Sequence, residues 1–127
     1  MKGHSLVLGS IYMPCDDNSK EHADDYEAAV GVMQGILDRH LGCNFVFGGD
    51  FNVEKQSMNI NNQHVHNLCK KNNLMWLDHH VDCVDYTFNA VNLGVYSLID
   101  HFICSRSIVD CSDSVIIQND DDNLSDH

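Results

Sequence analysis

Apolar residues occur in short blocks along the first fifty positions, and each block has its own spacing. Residues 5–13 form an apolar run with β-branched and aromatic members, and Pro14 ends it, which predicts a strand leading into a loop. Over residues 22–41, apolar side chains recur at steps of three and four, which predicts a helix with one apolar face. The residues of that face are Tyr26, Val30, Met33, Leu37 and Leu41. Gly42 follows at the position of a left-handed C-cap, and residues 43–47 form the next apolar run. The order strand, helix, strand predicts a crossover unit and an α/β fold.

Shorter elements are predicted in the second half of the chain. They are a polar loop over 54–63, a helix over 63–73, a short strand or buried turn over 75–77, and strands over 85–88, 97–104 and 115–117. No internal repeat or domain boundary interrupts them. The 127 residues therefore predict a single domain.

Composition and charge narrow the class of protein. A hydrophobic fraction of 43% and a charged fraction of 20% are typical of a globular protein. The net charge of −12 argues against a sequence-independent grip on a nucleic-acid backbone by this chain alone, although an acidic pocket could recruit divalent cations. No apolar run approaches the roughly 20 residues of a membrane-spanning helix. The first residues lack the pattern of a secretory signal, so an intracellular location, nuclear or cytoplasmic, is expected.

The six cysteines show no CxxC pair, and three of them (Cys43, Cys69 and Cys104) lie in apolar segments. Free cysteine is among the most buried residue types, so reduced core cysteines are expected. The even count leaves a disulfide framework open.

Asp50 and Asn52 follow an apolar strand that ends in two glycines. In α/β sheets, ligands bind beyond the carboxyl ends of the strands. Side chains two apart in an extended segment face the same way, so this carboxylate and carboxamide can converge on one point while Phe51 points into the core. The same residue types are standard in turns, so a Gly-Asp turn capped by Asn remains equally open.

Asp100 lies between Leu98-Ile99 and Phe102-Ile103 in the apolar segment 97–104. A charged side chain is costly to bury without a partner, so Asp100 is expected to pair with a histidine or a cation. The alternative is an edge position where Asp100 faces water.

Two weaker candidates complete the set. Asp126-His127 could form a general acid/base pair, in which a carboxylate holds the histidine. Tyr12 ends the first predicted strand, where a tyrosine usually packs with its hydroxyl at the rim. Four further histidines have no Cys or Glu at ligand spacing and are predicted to be surface residues: His64, His66, His79 and His80.

Taken together, these segments resemble the endonuclease/exonuclease/phosphatase superfamily. The matching segments, in the order of the family, are Ser10-Ile-Tyr-Met-Pro14, Phe47-Gly-Gly-Asp-Phe-Asn52, Tyr86-Thr-Phe88, Ser97-Leu-Ile-Asp-His-Phe-Ile-Cys-Ser105 and Ser125-Asp-His127. The third and fourth segments look most like the endonuclease domain of retrotransposons that lack long terminal repeats.

The resemblance implies a four-layered α/β sandwich, with two mixed sheets flanked by helices, that hydrolyses a phosphoester with Mg²⁺ or Mn²⁺. It implies DNA as the substrate of the complete domain. It matches Asp50 to the residue that activates the attacking water, and Asn52 to its phosphate-holding neighbour. It matches Asp100 to the carboxylate that orients the catalytic histidine, which His127 matches, and Tyr12 to the tyrosine that contacts the scissile phosphate. Such a site neutralises phosphate charge while a water attacks in line.

The metal region implied by the resemblance consists of Asp126, Asp50 and Asn52. The family's domain is about twice as long, and its first half supplies an Asn and a metal-ligand Glu. The chain therefore resembles the C-terminal half of the domain, and weak or no activity is expected of it alone. One sheet face is also expected to lack its cover.

Two other functions stay open at this point. The superfamily also suggests a phosphatase or phosphodiesterase acting on inositol phosphates or phospholipid head groups, which the acidic net charge suits better than DNA. A non-catalytic relic domain is the third hypothesis, although all six implied site residues are present.

Overall fold

The computed structural model describes residues 5–15, 17, 19–54, 56–79, 86–113 and 127. The helices are α1 (Lys20–Arg39), α2 (Ile60–Asn72) and the single turn α3 (Arg106–Val109). The strands are β1 (Leu6–Tyr12), β2 (Asn44–Asp50), β3 (Leu74–Trp76), β4 (Phe88–Ala90), β5 (Val95–Ser97) and β6 (Asp100–Ser105). Short 3₁₀ turns cover Leu77–His79 and Val91–Leu93. The predicted strand 115–117 lies outside the described residues.

The main sheet is mixed and has the strand order β1-β2-β6-β3. Strands β1 and β2 are parallel and are joined through α1, as the sequence predicts, while β6 runs antiparallel to both β2 and β3. Strands β4 and β5 form a separate two-stranded sheet. The predicted α/β class is confirmed, with a mixed sheet, a second small sheet and helices alongside.

The core lies between one face of the main sheet and the two long helices. Four side chains of α1 are buried, at the predicted spacing: Tyr26, Val30, Met33 and Leu37. They join Phe45 and Phe47 of β2, and Val65 and Leu68 of α2, in one apolar cluster. Side chains at alternate positions of a strand face opposite sides of a sheet, which is why every second residue of β2 enters this cluster.

Both long helices begin at side-chain caps. The Ser19 hydroxyl accepts a hydrogen bond from the His22 N–H, at 3.2 Å, at the start of α1. The Asn59 carboxamide accepts one from the Asn62 N–H, at 2.8 Å, at the start of α2. Such caps satisfy backbone donors of the first turn. Because Asn59 caps α2, the helix begins at Ile60, three residues before the predicted 63–73 helix. The loop before it is therefore shorter than the predicted 54–63.

Two other predicted bounds are wrong. Helix α1 ends at Arg39 rather than at Leu41, and the Leu41 side chain is 84% exposed. Gly42 has the left-handed conformation (φ +84°), but the C-cap is His40. The predicted strand 97–104 is two strands, because the intervening backbone bonds elsewhere. The Ile99 carbonyl accepts from the Phe51 N–H, at 2.9 Å, and the Ile99 N–H donates to the Thr87 hydroxyl, at 3.2 Å.

The face of the main sheet opposite the helices is open and apolar. Strand β1 alternates strictly between exposed and half-buried positions, with Leu6, Leu8 and Tyr12 on the exposed side. A shallow depression on this face is lined by Leu8, Val46, Gly48 and Phe102, among others. We call this surface the open face. Within the described parts of the chain, neither long helix is apolar enough to cross a membrane.

The described cysteines carry no disulfide. Cys69 and Cys104 are buried and Cys43 is half-buried, as predicted for reduced core residues, whereas Cys15 and Cys111 are exposed. Cys83 lies outside the described residues.

Candidate active site

Tyr12, Asp50 and Asp100 form one row across three neighbouring strands. Tyr12 pairs with Asp50 between β1 and β2, and Asp50 pairs with Asp100 between β2 and β6. Directly paired residues share a face of a sheet. The two carboxylates and the tyrosine predicted from separate motifs therefore lie side by side, at one end of the open face.

His127 completes this row. Its Nδ1 donates a hydrogen bond to Oδ2 of Asp100, at 2.9 Å, and its Nε2 lies 3.8 Å from Oδ2 of Asp50. The expected partner of Asp100 is thus a histidine. The ring of Phe88, in β4, lies with its centroid 5.1 Å from that of the His127 imidazole and covers one side of it. Asp126 lies outside the described residues.

The turn after β2 is shaped by two residues with positive φ. Gly49 has φ +142°, and a Cβ there would lie 2.1 Å from the Ile11 carbonyl oxygen, so only glycine fits. Asn52 has φ +49°, a left-handed conformation that Asn tolerates better than most residues. The Gly-Gly-Asp-Phe-Asn segment is therefore both the predicted turn and part of the site.

Asn52 holds this turn through its backbone and its side chain. Its N–H donates to Oδ1 of Asp50, at 2.8 Å, and its carboxamide nitrogen donates to the Met13 carbonyl, at 2.7 Å. Phe51 is fully buried, as predicted, and its carbonyl accepts a hydrogen bond from the Tyr26 hydroxyl, at 2.8 Å. Burial also raises the pKa of that tyrosine well above its ordinary value. Asn52 thus fixes the orientation of Asp50, and α1 fixes the backbone between them.

Burial raises the pKa of the Asp50 carboxyl above its ordinary value. The neighbouring Asp100 carboxylate raises it further, whereas the hydrogen bond from the Asn52 N–H and the nearby histidines lower it. Desolvation disfavours the charged form, so the ionised Asp50 is destabilised where it stands. A cation at this position would offset that cost.

Sequence reasoning did not assign roles to several residues that support the row. The Thr87 hydroxyl accepts a hydrogen bond from the Asp100 N–H, at 2.9 Å, and thereby fixes the start of β6. His101, the residue after Asp100, is 2% exposed and hydrogen-bonded to Asp78. The motifs that carry the family resemblance contain Thr87 and His101, but a motif does not show which backbone group a side chain binds. Asp78 lies outside every quoted segment.

The histidines predicted to be surface residues include one with an aromatic contact. His66 is exposed, and its ring centroid lies 5.7 Å from that of Trp76. His64 is half-buried. The predictions for the side chains of His79 and His80 lie outside what the structure describes.

The donor set fits a divalent cation. Among the described residues, one ligand atom each from Asp50, Asp100 and His127 lie within 4.8 Å of one another. Carboxylate oxygens suit Mg²⁺ and Mn²⁺, and imidazole suits transition metals. The residues present could therefore hold such an ion beside the row, where the Asp50 carboxylate bears an uncompensated desolvation cost.

The fold and site define an α/β protein with two carboxylates at neighbouring strand ends and a histidine hydrogen-bonded to one of them. Several solved structures share the fold. The 3′ phosphatase NExo from Neisseria, bound to a product DNA hairpin, superposes with a TM-score of 0.60 at 15% identity. An endonuclease/exonuclease/phosphatase family protein from Bacteroides thetaiotaomicron has a TM-score of 0.59 at 21% identity. A mannosyl-6-phosphatase from the same organism has a TM-score of 0.57, also at 21% identity.

The chain therefore shares its fold with these proteins, one of which is an endonuclease/exonuclease/phosphatase family protein, the family that the motifs resemble. The matches cover 81%, 84% and 84% of this chain, but the chain spans only 49%, 37% and 39% of those three proteins. No family model matches the sequence, and no curated protein matches it.

Proposed function

We propose that this chain carries part of a divalent-metal-dependent phosphodiester hydrolase whose substrate is DNA. The observation that carries the proposal is the convergence of Asp50, Asp100 and His127 at neighbouring strand ends. Two carboxylates on the neighbouring strands β2 and β6, with a histidine hydrogen-bonded to one of them, are suited to activating water and stabilising charge on phosphate.

The hydrogen bond between His127 and Asp100 supports a role for each of these two side chains. Asp100 can only accept as a carboxylate, so the proton of neutral His127 lies on Nδ1, and Nε2 faces the side of Asp50. In that tautomer Nε2 can exchange a proton with a reacting group, while Asp50 orients the water. Asp50 would hold bound Mg²⁺ or Mn²⁺, to which the resemblance adds Asp126 and Asn52 as further ligands, and the ion would neutralise phosphate charge. Tyr12, a residue that is 84% exposed on the same face, would contact the phosphate through its hydroxyl.

The hairpin formed by β4 and β5 supports a nucleic-acid substrate. Its apolar side chains are exposed, with Val91 at 73%, Leu93 at 78% and Tyr96 at 57%. Phe88 of the same hairpin touches the His127 ring. Apolar and aromatic side chains beside a phosphate site can stack on bases or enter a groove. The segments at Tyr86–Phe88 and Ser97–His101 also favour a retrotransposon-type endonuclease.

A phosphatase acting on small phosphoesters is the second candidate. The net charge of −12 suits it, since a strongly acidic chain repels the DNA backbone. One structural neighbour is a mannosyl-6-phosphatase. For this chain the candidate substrates are inositol phosphates and phospholipid head groups.

The open face suggests that full activity needs a second sheet layer. The chain spans less than half of each of the three neighbours described above, and Leu8 and Phe102 are exposed on the face that a second sheet would cover. The missing layer would bring the further Asn and Glu that the resemblance implies. We therefore propose a partial domain with low activity on its own.

The first test is metal binding together with DNA nicking by the 127-residue chain. Wild type should bind Mn²⁺, measured by paramagnetic resonance, and should nick supercoiled plasmid slowly with Mg²⁺ or Mn²⁺. Asp50→Ala and His127→Ala should both lose nicking, and Asp50→Ala should also lose Mn²⁺ affinity. Asp24→Ala, at an exposed position on α1, is the matched control and should behave as wild type.

Two results would count against the proposal. Identical Mn²⁺ affinity and nicking in wild type and Asp50→Ala would show that Asp50 is not part of a metal site. Release of phosphate from inositol phosphates, with no nicking of plasmid under the same conditions, would replace DNA by small phosphoesters.

A further inference from the structure

A second polar pair lies on the other side of the sheet from the candidate active site. His101 is 2% exposed, and both of its ring nitrogens are engaged. Nε2 donates to the Val53 carbonyl, at 2.8 Å, and Nδ1 lies 2.9 Å from Oδ2 of Asp78. A carbonyl can only accept, so Nε2 carries a proton, and the Nδ1–Oδ2 contact shares a further one.

This imidazole joins three segments of the chain. His101 lies in β6 directly after Asp100, and Asp78 lies in the 3₁₀ turn that follows β3. Val53 closes the turn that begins at Asp50. Side chains alternate along a strand, so Asp100 faces the site while His101 faces the core beneath the same turn.

The surroundings of the pair are apolar. The Trp76 ring lies at 4.6 Å, edge-on to the His101 ring, and the Phe51 ring lies at 6.0 Å. Replacing a buried ion pair by well-packed apolar residues is often neutral or stabilising, so such a pair is weak evidence for a role in stability alone. What the pair supplies that an aliphatic side chain could not is a directed hydrogen bond to one carbonyl, that of Val53.

We propose that Asp78 and His101 are positioning residues, which hold the 50–53 turn at a fixed distance from β6 so that Asp50 and Asp100 stay aligned under His127. This inference rests on the proposed function, because alignment matters only if the row binds metal and phosphate. Asp78 orients the imidazole, the imidazole fixes Val53, and the short turn carries that constraint to Asp50. Partners of this kind, one step behind the ligands, typically change metal affinity about 10- to 100-fold.

The test compares three conservative variants. His101→Gln keeps a donor near the position of Nε2 and should retain the bond to Val53. The shorter carboxamide of His101→Asn can reach only Asp78, so this variant should lose the bond to the Val53 carbonyl. Asp78→Asn should keep both bonds, because the carboxamide can donate to an unprotonated Nδ1. Val65→Ala, which removes apolar volume on α2 and leaves both hydrogen-bonding residues in place, is the control for destabilisation, since Val65 is fully buried.

The first readout is amide hydrogen exchange at Asn52, whose N–H donates to Asp50. In His101→Asn this exchange should quicken by about tenfold or more, as in a local opening, while amides within α1 keep their protection. His101→Gln and Asp78→Asn should exchange as wild type. Val65→Ala should lower the free energy of unfolding without selective exchange at Asn52. Unchanged exchange at Asn52 in His101→Asn would overturn the proposal.

The second readout is Mn²⁺ affinity. It should fall about 10- to 100-fold in His101→Asn and recover in His101→Gln. Equal affinity in His101→Asn and wild type would limit the pair to a structural role and contradict the inference. If wild type itself binds no Mn²⁺, the proposed function fails, and the exchange at Asn52 still decides whether the pair positions the turn.

Discussion

Oδ2 of Asp100 lies 2.9 Å from Nδ1 of His127, although 27 positions separate the two residues in the chain. The contact explains how an aspartate inside an apolar strand is tolerated, because its charge has a hydrogen-bonded partner. It also leaves Nε2 of His127 facing the side of Asp50. A structural pair and a catalytic dyad would both direct Nδ1 of His127 to Asp100. Only a catalytic dyad needs the imidazole to be accessible, and the His127 side chain is 35% exposed.

Asp100→Asn is the direct test of this contact. The carboxamide can donate to Nδ1 and so favours the tautomer with the proton on Nε2, which removes the proton acceptor facing Asp50. We expect metal-dependent nicking to fall by about 10²- to 10⁴-fold, the range in which orienting carboxylates and general bases act. Long-range ¹H–¹⁵N spectra of the imidazole should show the proton moving from Nδ1 to Nε2. An unchanged spectrum would mean that Asp100 does not set the tautomer.

Asp50→Asn should stabilise the fold while removing the site. The pKa of Asp50 is raised by burial and by Asp100, so its contribution to stability is greatest below the unfolded value, near 3.8, and is lost as pH rises through the folded value. At pH 7 in EDTA, the variant should therefore be more stable by about 0.5–2 kcal/mol, the usual range of stabilising substitutions. The difference should shrink as pH falls toward 4.

Urea unfolding at several pH values measures this difference. Asp24→Asn, at an exposed position on α1, is the control and should stay within about 0.5 kcal/mol of wild type at every pH. Lower stability of Asp50→Asn at pH 7 would show that the native carboxylate is held more favourably than its burial implies.

Buried and exposed cysteine thiols should differ strongly in their reactivity toward maleimide. Burial raises the pKa of Cys69 to about 12 and, with a smaller effect of the Asp78 charge, that of Cys104 to about 11. The thiolate is the reactive form, so both should resist maleimide at pH 7.5, whereas the exposed Cys15 and Cys111 should react. Peptide mapping by mass spectrometry reads each site separately, and guanidinium should make all of them reactive. Equal labelling of Cys69 and Cys15 in the native protein would contradict the burial.

The regular part of the fold could be predicted from spacing alone. The buried residues of α1 recur at steps of three and four, and β1 and the first half of β2 lie within the predicted apolar runs 5–13 and 43–47. Spacing failed where backbone groups bond outside their own element. The predicted 97–104 strand divides because the Ile99 N–H and carbonyl bind Thr87 and Phe51, and α2 starts early because Asn59 caps it.

The site was predictable only as separate motifs. Tyr12, Asp50 and Asp100 come from three segments, and the strand register that aligns them is a tertiary property that the segments do not encode singly. His101 shows the limit most clearly. It stands beside Asp100 in a quoted motif, yet its partner Asp78 is 23 positions away, in a turn whose sequence is unremarkable. Pairing of a buried donor is decided by the packed structure.

The open face should make the isolated chain self-associate. Leu8 is 71% exposed on β1, at the edge of the main sheet, and contiguous exposed apolar surface of this kind marks an interaction surface or an aggregation hazard. Leu8→Lys adds a charge to that surface and should lower the weight-average mass in sedimentation at high concentration, with less binding of a hydrophobic dye. Leu41→Lys is the matched control, because Leu41 is 84% exposed but lies in the connection between α1 and β2 and not in a strand of the open face. Equal association of the two variants would mean that the open face drives none of it. A loss of association in Leu8→Lys alone would identify the open face as the surface through which copies of the chain associate.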